Sequence, residues 1–312
     1  MKILDKDVKV IFSSINHPND TIVQQSLLGL SEKISIRVIT SKKFSKFWSN
    51  LDCKIQIVKF DSTATSRAVL RKFLIRSSFL RWLLRFAIHK ILKNSRQIMM
   101  PPHNARHFEY LSALKSLSSE EWVILVDSRD LIFQSSPKEI IDNLDTEIPI
   151  HLFLEDGKFF KTGSEQLNDS SPANWNWAKQ ILNFDSSRFE ILIGTKIVNS
   201  GCIIGRVREL TAFFEASCYL LTESLYSSYA LLDQASVNVI AYSFNHKFKM
   251  ALHKNGEVVL NMCGVVDEKA EIKNGQIFLD GERVPIVHQF DRFGDWSIES
   301  GLIFDRREYR VQ

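Results

Sequence analysis

Residues 122–134 read WVILVDSRDLIFQ. The first five are apolar without a break, and Asp127 and Asp130 follow three positions apart. An unbroken apolar run of this length suits a strand covered on both faces, as parallel strands are. In open α/β sheets ligands bind beyond the carboxyl ends of the strands, which is where Asp127 stands. Upstream, residues 8–12 (VKVIF), 34–39 (ISIRVI) and 55–58 (IQIV) read as three more strands. Residues 104–117 read as a helix with Phe108, Leu111, Leu114 and Leu117 on its buried face. Downstream, the pattern predicts a strand at 150–154, a polar loop at 156–172, a helix at 173–182 and a strand at 196–198. Helices are expected at 206–225 and 230–242. Residues 271–284 (EIKNGQIFLDGERV) carry two turn signals, Asn274-Gly275 and Asp280-Gly281, and predict a hairpin or meander. Strands alternating with helices predict an α/β sandwich, with a mostly parallel central sheet and helices on both faces.

The chain has 312 residues, 45 % hydrophobic and 24 % charged, which excludes a disordered, collagenous or coiled-coil protein. At this length roughly three quarters of the unfolded surface can be buried, so folding needs no disulfide or structural metal. With no repeat or linker, one domain over 1–312 is expected, carrying a basic helical insertion at about 64–96. No apolar run reaches the ~20 residues that span a bilayer. Cys53, Cys202, Cys218 and Cys263 form no CxxC pair and read as reduced thiols. The charged start MKILDKDVKVIF lacks a signal-peptide core. A cytoplasmic location is expected, peripheral on the inner membrane face if the basic segment binds lipid.

Charge is concentrated. Residues 67–96 hold nine Lys or Arg and no Asp or Glu, so the net +4 leaves the remainder at −5 (4 minus 9). That excludes a dispersed nucleic-acid surface. Within the segment Leu80, Leu83, Leu84, Ile88, Ile91 and Leu92 alternate with the cations, and Trp82 and Phe86 add bulk. It reads either as an amphipathic helix for an anionic membrane surface or as a solvated insertion.

Four constellations carry chemistry. Asp127 and Asp130 can converge on one hard divalent cation, or Asp130 can pair with Arg129 in a plain turn. Asn199-Ser200-Gly201 after the strand KIV offers amide donors and a close backbone approach, or a simple turn. Asp233, Gln234 and Asn238 start a helix; Gln234 and Asn238 share a face, and a cap with solvated amides is the bland reading. His288, in the apolar run PIVHQF, is a core histidine or a nitrogen ligand for a Mn²⁺-compatible site. Trp175 and Trp177 could stack on a sugar, but two indoles two apart cannot share a helix face.

In this order, the aspartate motif, NSG, DQ with a following Asn, and a late HQ resemble the GT-A fold of nucleotide-sugar-dependent glycosyltransferases. The likeness is closest to those with a DxRDxxFQ segment, and it runs from about Val8 to Arg292. It implies that Asp127, Asp130 and His288 hold Mn²⁺ or Mg²⁺. It implies that Arg106, Asp127, Asn199, Ser200 and Gly201 bind the donor sugar and its nucleotide, and that Asp233 and Gln234 are catalytic. The donor would be a nucleotide-diphosphate sugar and the acceptor a saccharide or a lipid-linked one, as in surface polysaccharide synthesis. The motif departs from the usual D-x-D, since the spacing here is D-x-x-D. A sugar-1-phosphate nucleotidyltransferase is the rival among enzymes, weakened because SSINHPND after the first strand has no glycine. A non-catalytic membrane-associated scaffold on the same fold is the rival from another class.

Overall fold

A computed structural model describes residues 8–14, 35–41, 45, 53–58, 102–127, 131–158, 171–182, 190–224, 232–262 and 270–289. The basic segment and Asp130 lie outside these residues.

The central sheet has seven strands. In chain order they are β1 (Val8–Ser14), β2 (Ser35–Ser41), β3 (Cys53–Val58), β4 (Trp122–Asp127), β6 (Ile150–Lys158), β7 (Lys196–Arg206) and β8 (Met250–His253). Across the sheet the order is β3-β2-β1-β4-β7-β6-β8. β7 runs antiparallel to β4 and β6, and the other pairings are parallel. The expected mostly parallel α/β architecture is the one that forms.

Alternation along the strands explains why both faces are covered. Val10, Phe12, Ile124 and Val126 point to one face. There they meet Ile140 and Ile141 of the short helix α2 (Pro137–Asp142) and a small sheet of β5 (Leu131–Phe133), β13 (Ile286–His288) and β9 (Val259–Asn261). Ile11, Val123 and Leu125 point to the other face. They pack on α1 (Pro102–Leu114), α4 (Val207–Ser224) and α5 (Leu232–Ser243) through Leu114, Phe213, Phe214 and Ile240. Helix α3 (Ser171–Ile181) buries Trp175, Ala178 and Ile181 against α5. Trp175 is thus core, and the acceptor-stacking expectation does not hold for it.

The meander forms as its turns predict. β10 (Ala270–Lys273), β11 (Gln276–Leu279) and β12 (Glu282–Arg283) pair antiparallel. Asn274 and Gly275 have φ of 51° and 74°, and Asp280 and Gly281 have 50° and 85°. Two successive positive φ values mark the tight hairpin turn that Asn-Gly and Asp-Gly favour.

Two readings of the sequence need correction. Residues 156–158 continue β6 rather than opening a loop. Strand β7 does not end at 198 but runs on to Arg206, so Asn199, Ser200 and Gly201 lie inside it. Three polar or small residues broke the apolar pattern and made one long strand look short.

Gln134, the last residue of the opening motif, ties the meander to the core. Its Nε2 donates to Ile277 O at 2.9 Å and Val284 O at 2.6 Å, and its Oε1 accepts from Ile277 N at 2.7 Å. Gln134→Ala removes the partner of Ile277 N and Val284 O, while Ile277 O keeps Val284 N, and is expected to cost about 2–3 kcal/mol in urea unfolding. An unchanged midpoint would show that water replaces Gln134 without loss.

Candidate active site

The site is built around one guanidinium. Arg106, on α1, is only 4 % exposed and reaches the carboxyl end of β4. Its Nη1 donates to Asp127 Oδ1. Its Nη2 donates to Ser200 Oγ at 2.8 Å and to Asp233 Oδ2 at 2.5 Å. Arg106 Nε has no hydrogen-bond partner among the described residues.

Asp233 stands in the first turn of α5, and α1 grips that turn twice. Besides the Arg106 contact, Asn104 Oδ1 accepts from Leu232 N at 2.9 Å and Asp233 N at 3.1 Å. The first helical N–H groups lack partners within the helix, so a side chain from another helix supplies the cap. Burial alone pushes the Asp233 carboxyl up. Arg106, with His107, His103 and the Gln234 N–H, outweighs burial and holds it below the usual carboxylate value.

His107, next to Arg106, faces the other way. Its Nδ1 lies 2.7 Å from Ser217 Oγ, which lies 2.7 Å from Ser236 Oγ; Ser236 in turn donates to Asp233 O at 2.7 Å. This chain links α1, α4 and α5 behind the carboxylate. Burial, then the Arg106 charge, push His107 down to about 3 against the pull of Asp233, so its ring is neutral.

Strand β7 presents the polar triplet through a bulge. Leu152 of β6 pairs with Ile203, but the next residue, Phe153, pairs with Asn199, so 200–202 have no partner on β6. Bulges re-aim side chains in this way beside ligand sites. Asn199 Oδ1 accepts from Gly201 N at 2.6 Å, and its Nδ2 donates to Glu155 Oε1 at 2.6 Å. Val198 lies beyond the last β4 pairing, and Asn238 takes the missing strand's place. Its Oδ1 accepts from Val198 N and its Nδ2 donates to Val198 O, both at 2.8 Å. Asn238 is therefore a buried backbone clamp and not a solvated amide.

His288 closes the same wall. It is 2 % exposed, and its Nδ1 lies 2.9 Å from Asn261 Oδ1. An amide oxygen accepts, so Nδ1 is the donor of that bond. The ring lies on Gly201: a Cβ there would stand 2.3 Å from His288 Cε1 and 2.5 Å from Nε2. This is the close approach that needs a glycine.

The structure thus joins Arg106, Asp127, Ser200 and Asp233 directly, and Gly201 with His288 by contact. Gln234 joins Asn199 through Glu155: its Nε2 donates to Asn174 Oδ1 at 2.9 Å and Glu155 Oε1 at 3.4 Å. Asp130 lies outside the described residues, and among those residues no group of three His, Cys, Asp or Glu gathers as a metal cage. As donor types, the carboxylate of Asp127 and the imidazole of His288, held by Asn261, suit a hard to borderline cation.

Glu155, Asn104, Asn174, Asn261 and His107 escaped the sequence reading. Glu155 did leave a signal: like Asp127, it is a carboxylate directly after a buried apolar run, LFL at 152–154.

No protein-family model and no curated protein matches the chain. Among solved structures, an active-site mutant of LgtC superposes with a TM-score of 0.46 and 10 % identity, over 90 % of this chain and 86 % of that one. So loose a superposition transfers neither residues nor activity.

Two outcomes are expected. Gly201→Ala drives a methyl into His288 and should cost about 1–3 kcal/mol, read by thermal or urea unfolding. An unaltered stability would mean that the His288 ring does not rest on Gly201. Acid should destabilise the fold in two windows. His107 is depressed to about 3, so its contribution is full above the ordinary ~6.5 and fades as pH falls toward about 3. The Asp233 contribution, also from a depressed group, is full above the ordinary ~3.9 and is lost below it. In His107→Gln the decline between pH 6 and 4 should flatten, as followed by urea unfolding at each of about six pH values.

Proposed function

We propose that the chain is a metal-dependent glycosyltransferase of the GT-A type, moving a sugar from a nucleotide-diphosphate sugar to a saccharide or lipid-linked acceptor. The observation that carries this reading is the Arg106 cluster. A single guanidinium ties Asp127, at the carboxyl end of β4, to Asp233 at the start of α5, beside the bulged NSG. Among the described residues of the cluster one cation faces two carboxylates, which leaves it short of positive charge, and a divalent cation supplies it.

In this reading Asp127, Asp130 and His288 hold Mn²⁺ or Mg²⁺. When bound, the cation neutralises charge growing on the departing diphosphate. Asn199, Ser200 and Gly201 line the donor sugar. Asp233 has its Oδ2 committed to Arg106 and its carboxyl held below the usual value. A proton acceptor works best with a pKa near the working pH, so Asp233 is a poor base. It serves better as fixed negative charge facing the positive anomeric carbon and as an acceptor for a sugar hydroxyl. Gln234 has its amide NH₂ engaged by Asn174 and Glu155. That orientation leaves its carbonyl oxygen as the group it can offer to the anomeric carbon.

Residues 67–96 are proposed to hold the enzyme reversibly on an anionic membrane surface on the cytoplasmic side; no described helix is long and apolar enough to cross a membrane. The scaffold reading is not favoured. Buried charge clusters are often no more stable than apolar packing of the same volume, so a scaffold has little reason to keep one.

The test is thermal shift with nucleoside diphosphates and Mn²⁺, followed by turnover of the nucleotide sugar that binds. Asp127→Asn and Asp130→Ala should abolish the Mn²⁺-dependent shift and transfer, and His288→Ala should weaken both. No shift with any diphosphate and Mn²⁺ would overturn the reading. Asp233→Asn should lower kcat by about 10²-fold or more with donor affinity little changed. Wild-type turnover would remove Asp233 from the reaction.

A further inference from the structure

Charge of the opposite sign gathers at the other end of the central sheet. Arg206, the last residue of β7, pairs with Trp122, the first of β4. At about 3.3 Å per residue this lies about 17 Å along the strand from Asp127. A cleft of about 530 Å³ opens there, between the end of β7, the start of α4 and the turn before β8. Four cations line it, Arg206, Arg208, Lys247 and Lys249, against two carboxylates, Glu147 and Glu209.

The cations differ in what already occupies them. Arg206 is fixed in place: its Nη2 donates to Thr146 O at 3.2 Å, and its guanidinium lies 5.5 Å over the Trp122 ring. Arg208 engages Glu209 at 2.9 Å and Glu120 at 3.5 Å, and Glu120 also lies 3.7 Å from Arg206 Nη1, so both arginines already face carboxylates and the uncompensated charge is that of the lysines. Lys247 and Lys249 are exposed and have no carboxylate partner among the described residues. They flank Phe248, which is half-buried and packs edge-on against Phe213, so the turn that carries them is anchored to the core.

We propose that this cleft binds a compact phosphate-bearing anion, with Arg206 as the fixed donor and Lys247 and Lys249 as the charges that set affinity. A guanidinium at the end of β7 and two ammonium groups on the turn before β8 match the several oxygens of a phosphate or diphosphate. A recess favours a small, densely charged ligand over an extended chain. The inference does not depend on the glycosyltransferase reading, because the cleft and the Arg106 cluster occupy opposite ends of β4.

The experiment is calorimetric titration of the full chain with inorganic pyrophosphate at low salt. EDTA is present so that any cation-dependent diphosphate site stays silent. Binding is expected, and in the double variant K247E/K249E the Kd should rise by about tenfold or more, while the charge-matched K115E/K273E should stay within about twofold of wild type. Both lysines are exposed, so the variant should fold, which circular dichroism checks. A parallel arm co-sediments the same proteins with phosphatidylglycerol vesicles. Pyrophosphate binding lost in K247E/K249E supports a soluble phosphate as the ligand. Vesicle binding lost in that variant, with no heat from pyrophosphate, assigns the phosphate to a lipid headgroup. No binding in either arm, or binding unchanged in K247E/K249E, overturns the proposal; in the latter case the anion sits elsewhere, for example on residues 67–96.

Discussion

A buried guanidinium must be answered by negative charge, and the rest of the site follows from how this fold answers Arg106. Taking the cation out of water costs several kcal/mol unless its N–H groups are paired. Asp127 and Asp233 pair them, and Ser200 adds a hydroxyl. These partners come from a strand, a helix and a bulge far apart in sequence, so the ion cluster registers three elements against α1. Losing one carboxylate would strand the guanidinium in a dry environment. Losing Arg106 would leave Asp233 buried, where burial pushes its carboxyl toward protonation. Stability and site charge therefore rest on the same contacts.

The second constraint is the bulge in β7. A regular strand would place alternate residues of 199–201 on opposite faces. The bulge lets Asn199 reach Glu155 while Ser200 reaches Arg106. Its irregular backbone needs support that a ladder cannot give. Asn199 bonds Gly201 N within the turn, and Asn238 pairs both polar groups of Val198 from α5. Helix α5 thus does three jobs on neighbouring turns: it offers Asp233 and Gln234 to the site and clamps the strand behind them with Asn238. The cap from Asn104 fixes where that helix starts.

Much of the fold was legible because apolar periodicity reports burial directly. β4 reads as a doubly covered strand because Val123 and Leu125 face one layer and Ile124 and Val126 the other. The two hairpin turns were legible because only a few residue pairs favour two positive φ values in succession. What escaped was polar and long-range. β7 looked short because its bulge carries Asn, Ser and Gly, whose partners Glu155, Arg106 and His288 are remote in sequence. Asn104 and Asn174 looked like ordinary helix residues, since nothing near them in the chain reveals which backbone or amide they hold. Glu155 was legible by the rule that singled out Asp127, but the polar stretch after it drew the reading toward a loop.

The reversed direction of β7 also separates the charges of the molecule. Because β7 runs against its neighbours, its early polar triplet arrives at the carboxyl end of β4 while its final Arg206 arrives at the amino end. Asp127 and Asp233 stand at one end and the four cations of the cleft, with Glu147 and Glu209 among them, at the other. The two clusters stand about 17 Å apart along the strand. Had β7 run parallel, the residue after its apolar stretch would have brought a cation to Asp127. One antiparallel strand in a parallel sheet thus carries the polar triplet to one end of the sheet and Arg206 to the other.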